Sequence, residues 1–262
     1  ACLMGSLATA MLMREHTRYL IASEDLEPGH GWNYRGFDAV AEAPNTPLPI
    51  VGQRIIDSFA KQAEKKRRDQ SITLALLDLH KLQAVIEQFG ALVKKVDTDL
   101  SKQARAVGVG RSRVQSFGRS PDPKKSYHMV DLGDFAKQLS FVAPTVAADK
   151  DKILQALDKL VLYRVAGRLT KESTGLSIYF PPHSTLYRTA YDGIDLMKVW
   201  TGLMKNYFKL AKGEVPLPGF AKGDGGGGDS KGGLPPSGQA TKTSSDNSGG
   251  DAGTNPFGGG KH

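Results

Sequence analysis

Apolar positions along the first 212 residues recur at two periods, and the switches between them mark the elements. Leu3–Thr17 is rich in Ala and Met and free of proline, and predicts a helix. YLIAS (19–23) predicts a short buried strand. Residues 24–34 predict a loop, because Pro28, Gly29 and Gly31 break any period. Ile55, Ile56 and Phe59 recur at helical spacing within 51–70, and the basic end of that helix, Lys65–Arg68, suits the negative end of its dipole. SITLALLDL (71–79) is an apolar run of strand length. A helix is predicted over 80–100, with Leu82, Val85, Ile86, Phe89 and Val93 on one side. Residues 129–142 predict a short strand or turn leading into a helix, 152–160 a helix, and 160–167 a strand. GLSIYFPP (175–182) predicts a strand stopped by two prolines, and 196–210 a last helix.

Strands and helices that alternate through short connections predict an α/β fold with a mostly parallel sheet and helices on both faces. In such sheets, sites lie beyond the carboxyl ends of the strands. Near Gly213 the composition changes to Gly, Ser, Pro, Asp and Thr, with few large apolar residues to offset chain entropy. The expected organisation is a folded domain over 1–212 and a flexible tail over 213–262. The tail's four lysines nearly cancel its five acids, so the net charge of +8 belongs to the folded part.

That charge favours anionic partners only in a general way. KKRRD (65–69) lacks the interleaved aromatics of a nucleic-acid surface and reads as a solvated helix end. No apolar stretch is long enough to span a bilayer. Ala8-Thr9-Ala10 imitates a signal-cleavage site, but no basic segment precedes it. No residue cluster has zinc-ligand spacing. Asp78, Asp131 and Asp134 stand where acidic residues cap or favour a helix start.

The one cysteine, Cys2, rules out an internal disulfide. If it sits where a strand hands over to the predicted helix, unpaired N–H groups of the first turn would favour its reactive thiolate form. Ala1, Gly5 and Ser6 would let a substrate backbone approach, and N–H groups nearby could stabilise an oxyanion. The alternative is a small buried apolar residue beside Leu3 and Met4. A nucleophile also needs a base. Of His16, His30, His80, His128, His183 and His262, His16 lies about four turns along the Cys2 helix, too far by helical rise. His128 fits the papain-like order, but no Cys-Gly-Ser-Cys-Trp pattern surrounds Cys2.

Five stretches together resemble the clostripain family of cysteine peptidases. They are ACLMG (1–5), YLIASEDLEPGHGWNY (19–34), SITLALLDLHKL (71–82), YHMVDLGDFA (127–136) and GLSIYFP (175–181), in the family's order and spacing. The resemblance implies a caspase-like α/β/α sandwich and a Cys-His dyad that cleaves after Arg or Lys. It places the nucleophile on Cys2. The family's histidine, in a His-Gly motif, and an Asp directly before the Ala-Cys pair would both lie upstream of Ala1, as would the first strands. The expectation is therefore the C-terminal part of a peptidase domain, from a fragmentary gene model, and inactive as residues 1–262 alone. Its partners would be protein or peptide substrates and the upstream chain that carries the histidine. Analogy implies a bacterial protein that is secreted or held at the cell envelope. No cofactor or metal is implied, except calcium by family analogy alone, and GDGGGGD in the tail has too few spaced carboxylates to hold it.

One position departs from the family. Members that prefer Arg or Lys read Glu-Pro-Gly-Asp-Gly-Trp where this chain reads Glu27-Pro28-Gly29-His30-Gly31-Trp32. A carboxylate there pairs with a basic side chain, and a histidine does not. Two readings follow: altered or relaxed specificity, or a tolerated loop residue with the pocket held by other acids, such as Glu24 or the Asp expected before Ala1. Glu24, His30 and Trp32 are the expected substrate-binding residues. The competing function is a degenerate, non-catalytic peptidase that acts as a binding module. A third is attachment to an envelope or partner through the tail.

Overall fold

The computed structural model describes residues 2–212; the expected tail over 213–262 lies outside the described residues. Two three-stranded sheets organise the described residues. The first takes β1 (Tyr19–Ala22), β2 (Thr73–Asp78) and β5 (Val161–Ala166), with β2 central. The second takes β3 (Ser116–Phe117), β4 (Met129–Asp131) and β6 (Ser177–Tyr179), with β4 central. The helices are α1 (Leu7–Met13), α2 (Asp38–Glu42), α3 (Leu48–Lys65), α4 (Leu82–Thr98), α5 (Leu100–Arg113), α6 (Leu132–Val142), α7 (Ala147–Leu160) and α8 (Lys198–Ala211).

All six residues of β2 are buried, because helices cover both of its faces. Leu74 and Leu76 join Ile56, Phe59 and Ala63 of α3 on one side. Ala75 and Leu77 point to the other, where the larger core gathers residues of α4, α6, α7 and α8. The period of two along a strand turns one apolar run into walls for two cores.

The mostly parallel sheet is corrected by the strand pairings. Both sheets are antiparallel throughout: Tyr19 faces Asp78, Thr73 faces Ala166, and Met129 faces Tyr179. The only parallel contact found among the described residues is an isolated bridge between Ser6 and Ser177. Alternation implies parallel strands when each connection is one returning helix. Between β1 and β2 the chain runs through an extended leg and α2 as well as α3, and re-enters the sheet reversed.

The helix expected from Leu3 begins only at Leu7 and ends at Met13. Leu3 has a left-handed backbone (φ 58°), and Ser6 is the N-cap, its Oγ accepting from Thr9 N–H at 3.2 Å. α5 was not foreseen. Its Gly108 and Gly110 weaken the helical signal, yet they admit close neighbours: a Cβ on Gly108 would lie 2.8 Å from the Tyr207 hydroxyl.

Candidate active site

Residues 2–5 are not helical; they run beside the segment that follows β1. Leu3 N–H donates to Asp25 O at 3.2 Å and Gly5 N–H to Ser23 O at 2.8 Å. The backbone N–H of Glu27 donates to Cys2 Sγ at 3.2 Å. A Cβ on Gly5 would lie 2.9 Å from the Ser23 carbonyl carbon, so only glycine permits this approach. Residues 2–5 and the loop that follows β1, separate motifs in the sequence, thus form one structural unit.

Cys2 is exposed, which overturns the alternative of a buried apolar filler. It also lies four residues before the N-cap Ser6, so the first-turn argument for its thiolate does not hold here. The loop amide does what the helix was expected to do, directing an N–H at the sulfur. Among the described residues, no histidine hydrogen-bonds Cys2. His128 is buried at the start of β4, its pKa lowered by burial and by Arg111 and Arg188.

The segment is anchored from beneath. Thr73 Oγ1 lies 2.8 Å from Ser23 Oγ and accepts from the N–H groups of Glu24 and Asp25, each at 3.0 Å. Asp25 Oδ1 in turn accepts from Gly118 N–H at 2.8 Å. Sequence reading did not single out Thr73; a lone hydroxyl in an otherwise apolar strand was the available signal.

Glu24 is 1% exposed and faces no open pocket. Its Oε2 accepts from Ser173 Oγ and from Gly175 N–H at 3.0 Å. Burial, then the charge of Asp131, pushes Glu24 well above the usual carboxylate range. Burial raises Asp131 too, against its hydrogen bonds with Glu24, Thr174 and Asp134. Glu24 Oε1 has no donor among the described residues. A proton held on Glu24 and donated to Asp131 accounts for both the shifts and the orphan oxygen. Asp131 also caps α6, accepting from Asp134 N–H at 2.7 Å.

Trp32 packs on the smaller core, and its Nε1–H donates to Glu27 Oε2 at 2.8 Å. It holds the residue whose amide meets Cys2. His30 lies against α3: Nδ1 is 2.8 Å from Gly31 O and 3.0 Å from Gln62 Nε2, and the ring sits 6.2 Å from Phe59. Pro28, Gly29 and His30 form one wall of a cleft of about 460 Å³, and Lys66 and Arg68 form the other. Of the four expected residues, the structure thus brings Cys2, His30 and Trp32 to one loop and buries Glu24 behind it. Asp78, set aside as structural, accepts from His80 N–H at 3.3 Å and pairs with Arg18.

No group of three or more His, Cys, Asp or Glu side chains that could hold a metal is found among the described residues. No described helix is long and apolar enough to cross a membrane.

The profile of the clostripain family matches residues 1–205. Among solved structures, the chain is similar to an inactive zymogen C11 protease from Parabacteroides distasonis, at 16% identity over 76% of this chain and 56% of that one, with a TM-score of 0.59. It is similar to a B. fragilis cysteine protease at 19% identity, covering 80% of this chain and 87% of that one, with a TM-score of 0.52. A secreted C11 cysteine protease from Bacteroides thetaiotaomicron, solved with an irreversible peptide inhibitor, matches at 13% identity, 77% and 58% coverage, and a TM-score of 0.52. At these identities the likeness is one of fold. The chain spans 56% of the length of the Parabacteroides zymogen. No curated protein matches the sequence.

Proposed function

Because the chain belongs to the clostripain family, we propose that it carries the nucleophile of a cysteine endopeptidase, Cys2, within a caspase-like domain over 1–212. The observation that supports this most is the exposed Cys2 sulfur held by the Glu27 amide on a loop with a cleft beside it.

In this reading Sγ attacks the carbonyl carbon of a peptide bond. A C–S bond forms as the thiol proton passes to an imidazole base. The C–N bond then breaks, and the departing amine takes that proton. Water hydrolyses the resulting thioester, which frees the second product and restores the thiol. For the base we infer the histidine that the family resemblance implies; among the described residues no histidine hydrogen-bonds the sulfur. Nothing in the scheme calls on a metal or cofactor. His30 contacts substrate, while Trp32 and Glu24 act as positioning residues, through Glu27 and through the floor of the loop. The family preference for Arg or Lys is altered by His30. Bacterial secretion fits the description of the Bacteroides thetaiotaomicron relative as a secreted protease.

Covalent trapping tests the reading. A peptidyl thiol-directed inhibitor should label Cys2 of the full-length protein far faster than iodoacetamide of matched intrinsic reactivity does. Equal rates for the two reagents in a folded protein would favour the non-catalytic binding module instead.

A further inference from the structure

Residues 118–127 join β3 to β4 as a hairpin that lies against the nucleophile segment. Tyr127 N–H donates to Gly118 O at 2.9 Å and closes its base. Ser126 Oγ accepts from Ser120 N–H at 2.9 Å and ties the two legs together. Gly118 N–H donates to Asp25 Oδ1 at 2.8 Å, and Asp25 O accepts from Leu3 N–H at 3.2 Å. A Cβ on Gly118 would lie 3.1 Å from Leu3 Cδ2. The hairpin therefore packs on the residue next to Cys2.

Cations gather on this hairpin and beside it. Arg119, Lys124 and Lys125 are exposed on the loop itself. Arg111, in the last turn of α5, donates from Nε to Phe180 O and stands 5.7 Å from the Phe180 ring. Phe180 N–H in turn donates to His128 O at 2.8 Å. Arg188 donates from Nη2 to Ser126 O at 3.1 Å and stands 5.6 Å from the Tyr127 ring. The groups feel one another: burial pushes Arg111 down to about 10, with Arg119 adding to the shift, and burial, Arg111 and Arg188 lower His128.

The partners that orient these groups are neutral. Among the described residues, no carboxylate pairs with Arg111, Arg119, Lys124, Lys125 or Arg188. The neighbouring acids are occupied: Asp122 Oδ1 accepts from Lys124 N–H at 3.0 Å, Asp25 holds Gly118, and Asp192 pairs with Lys205 at 2.8 Å. A guanidinium fixed by a carbonyl and a ring keeps its full charge and its remaining N–H donors for an oxyanion.

We propose that this hairpin face is an exosite that binds acidic side chains of the polypeptide substrate, a few residues from the bond to be cleaved. The inference rests on the peptidase reading of Cys2 and deepens it. It concerns flanking residues and not the residue before the cleaved bond. An extended chain advances about 3.3 Å per residue, so a substrate seated on Cys2 comes alongside the hairpin within a few residues. Opposite charge there raises the rate of productive encounter, and salt screens it.

The test uses the native protein and three peptides that share one cleavable bond. Their flanks are neutral, acidic before the bond, or acidic after it. Wild type is compared with R119Q/K124Q/K125Q, and binding of the same peptides to Cys2→Ala, with and without the triple substitution, is measured in parallel. The three substituted residues are exposed, so cleavage of the neutral peptide should not change, which checks the fold. A loss on the neutral peptide would pass the comparison to K124Q/K125Q, which should lose part of the same gain. One acidic-flanked peptide should exceed the neutral one by about tenfold in kcat/KM at low salt, through a lower KM. High salt and the triple substitution should each abolish that gain. No gain from either acidic flank, or a gain kept in the variant, would overturn the inference and leave the peptidase reading intact. Acid-selective binding by Cys2→Ala that the triple substitution removes, with no cleavage by wild type, would uphold the exosite and sink the peptidase. Neither cleavage nor acid-selective binding would sink both.

Discussion

Gly5 and Ser23 meet with no room for a side chain between them: the N–H to O distance is 2.8 Å, and a Cβ on Gly5 would sit 2.9 Å from the Ser23 carbonyl carbon. This contact holds the Cys2 segment to the loop that supplies the Glu27 amide. Gly5→Ala should force the two backbones apart, at a cost of about 1–3 kcal/mol by the measure of overpacked interiors. Urea unfolding gives the stability loss. A fall of about tenfold or more in Cys2-dependent cleavage should accompany it, since misplacing a reacting group lowers rate steeply.

Thr73 supports the same loop from β2. Thr73→Val keeps the shape but removes the oxygen that accepts from Glu24 and Asp25 N–H. Asp25 N–H retains Ser23 Oγ at 3.2 Å, so Glu24 N–H is the group left bare. The expected loss is about 1–3 kcal/mol, the cost of one buried unpaired donor. Thr73→Ser, which restores the oxygen, should recover most of it in the same unfolding assay.

The Glu24–Asp131 pair makes stability depend on pH. Glu24 is raised in the fold and near its ordinary value in the unfolded chain. Below the unfolded value both states hold the proton, and the pair's contribution is complete. As pH rises above it, the unfolded chain releases its proton first, and the contribution is lost up to the folded value. Wild type should therefore lose about 1.4 kcal/mol per pH unit relative to Glu24→Gln across that window, which opens at the ordinary glutamate value and closes at the raised folded one. Parallel stability curves for the two proteins would show that Glu24 does not hold the proton.

Much of this was legible in the sequence, and the exceptions have specific causes. The apolar run at 71–79 announced a strand, and β2 is one, buried throughout. Asp131 was foreseen near a helix start and is the N-cap of α6. Strand direction was not legible, because periodicity reports which residues are buried and not how often a connection reverses the chain. The helix predicted from Leu3 failed for a tertiary reason: Gly5 satisfies its backbone on Ser23 instead of within a helix. Glu24 was expected to bind substrate, and its burial was not legible, because its partners, Asp131 and the 173–175 loop, are more than a hundred positions away. Lys66 and Arg68 read as a solvated helix end, and only the fold sets them against His30.

The central claim is that Cys2 is the nucleophile. It is tested most directly by peptide cleavage with the native protein beside its Cys2→Ala variant. Cleavage should fall by about a thousandfold or more in Cys2→Ala. Undiminished cleavage by a folded Cys2→Ala protein would contradict the account.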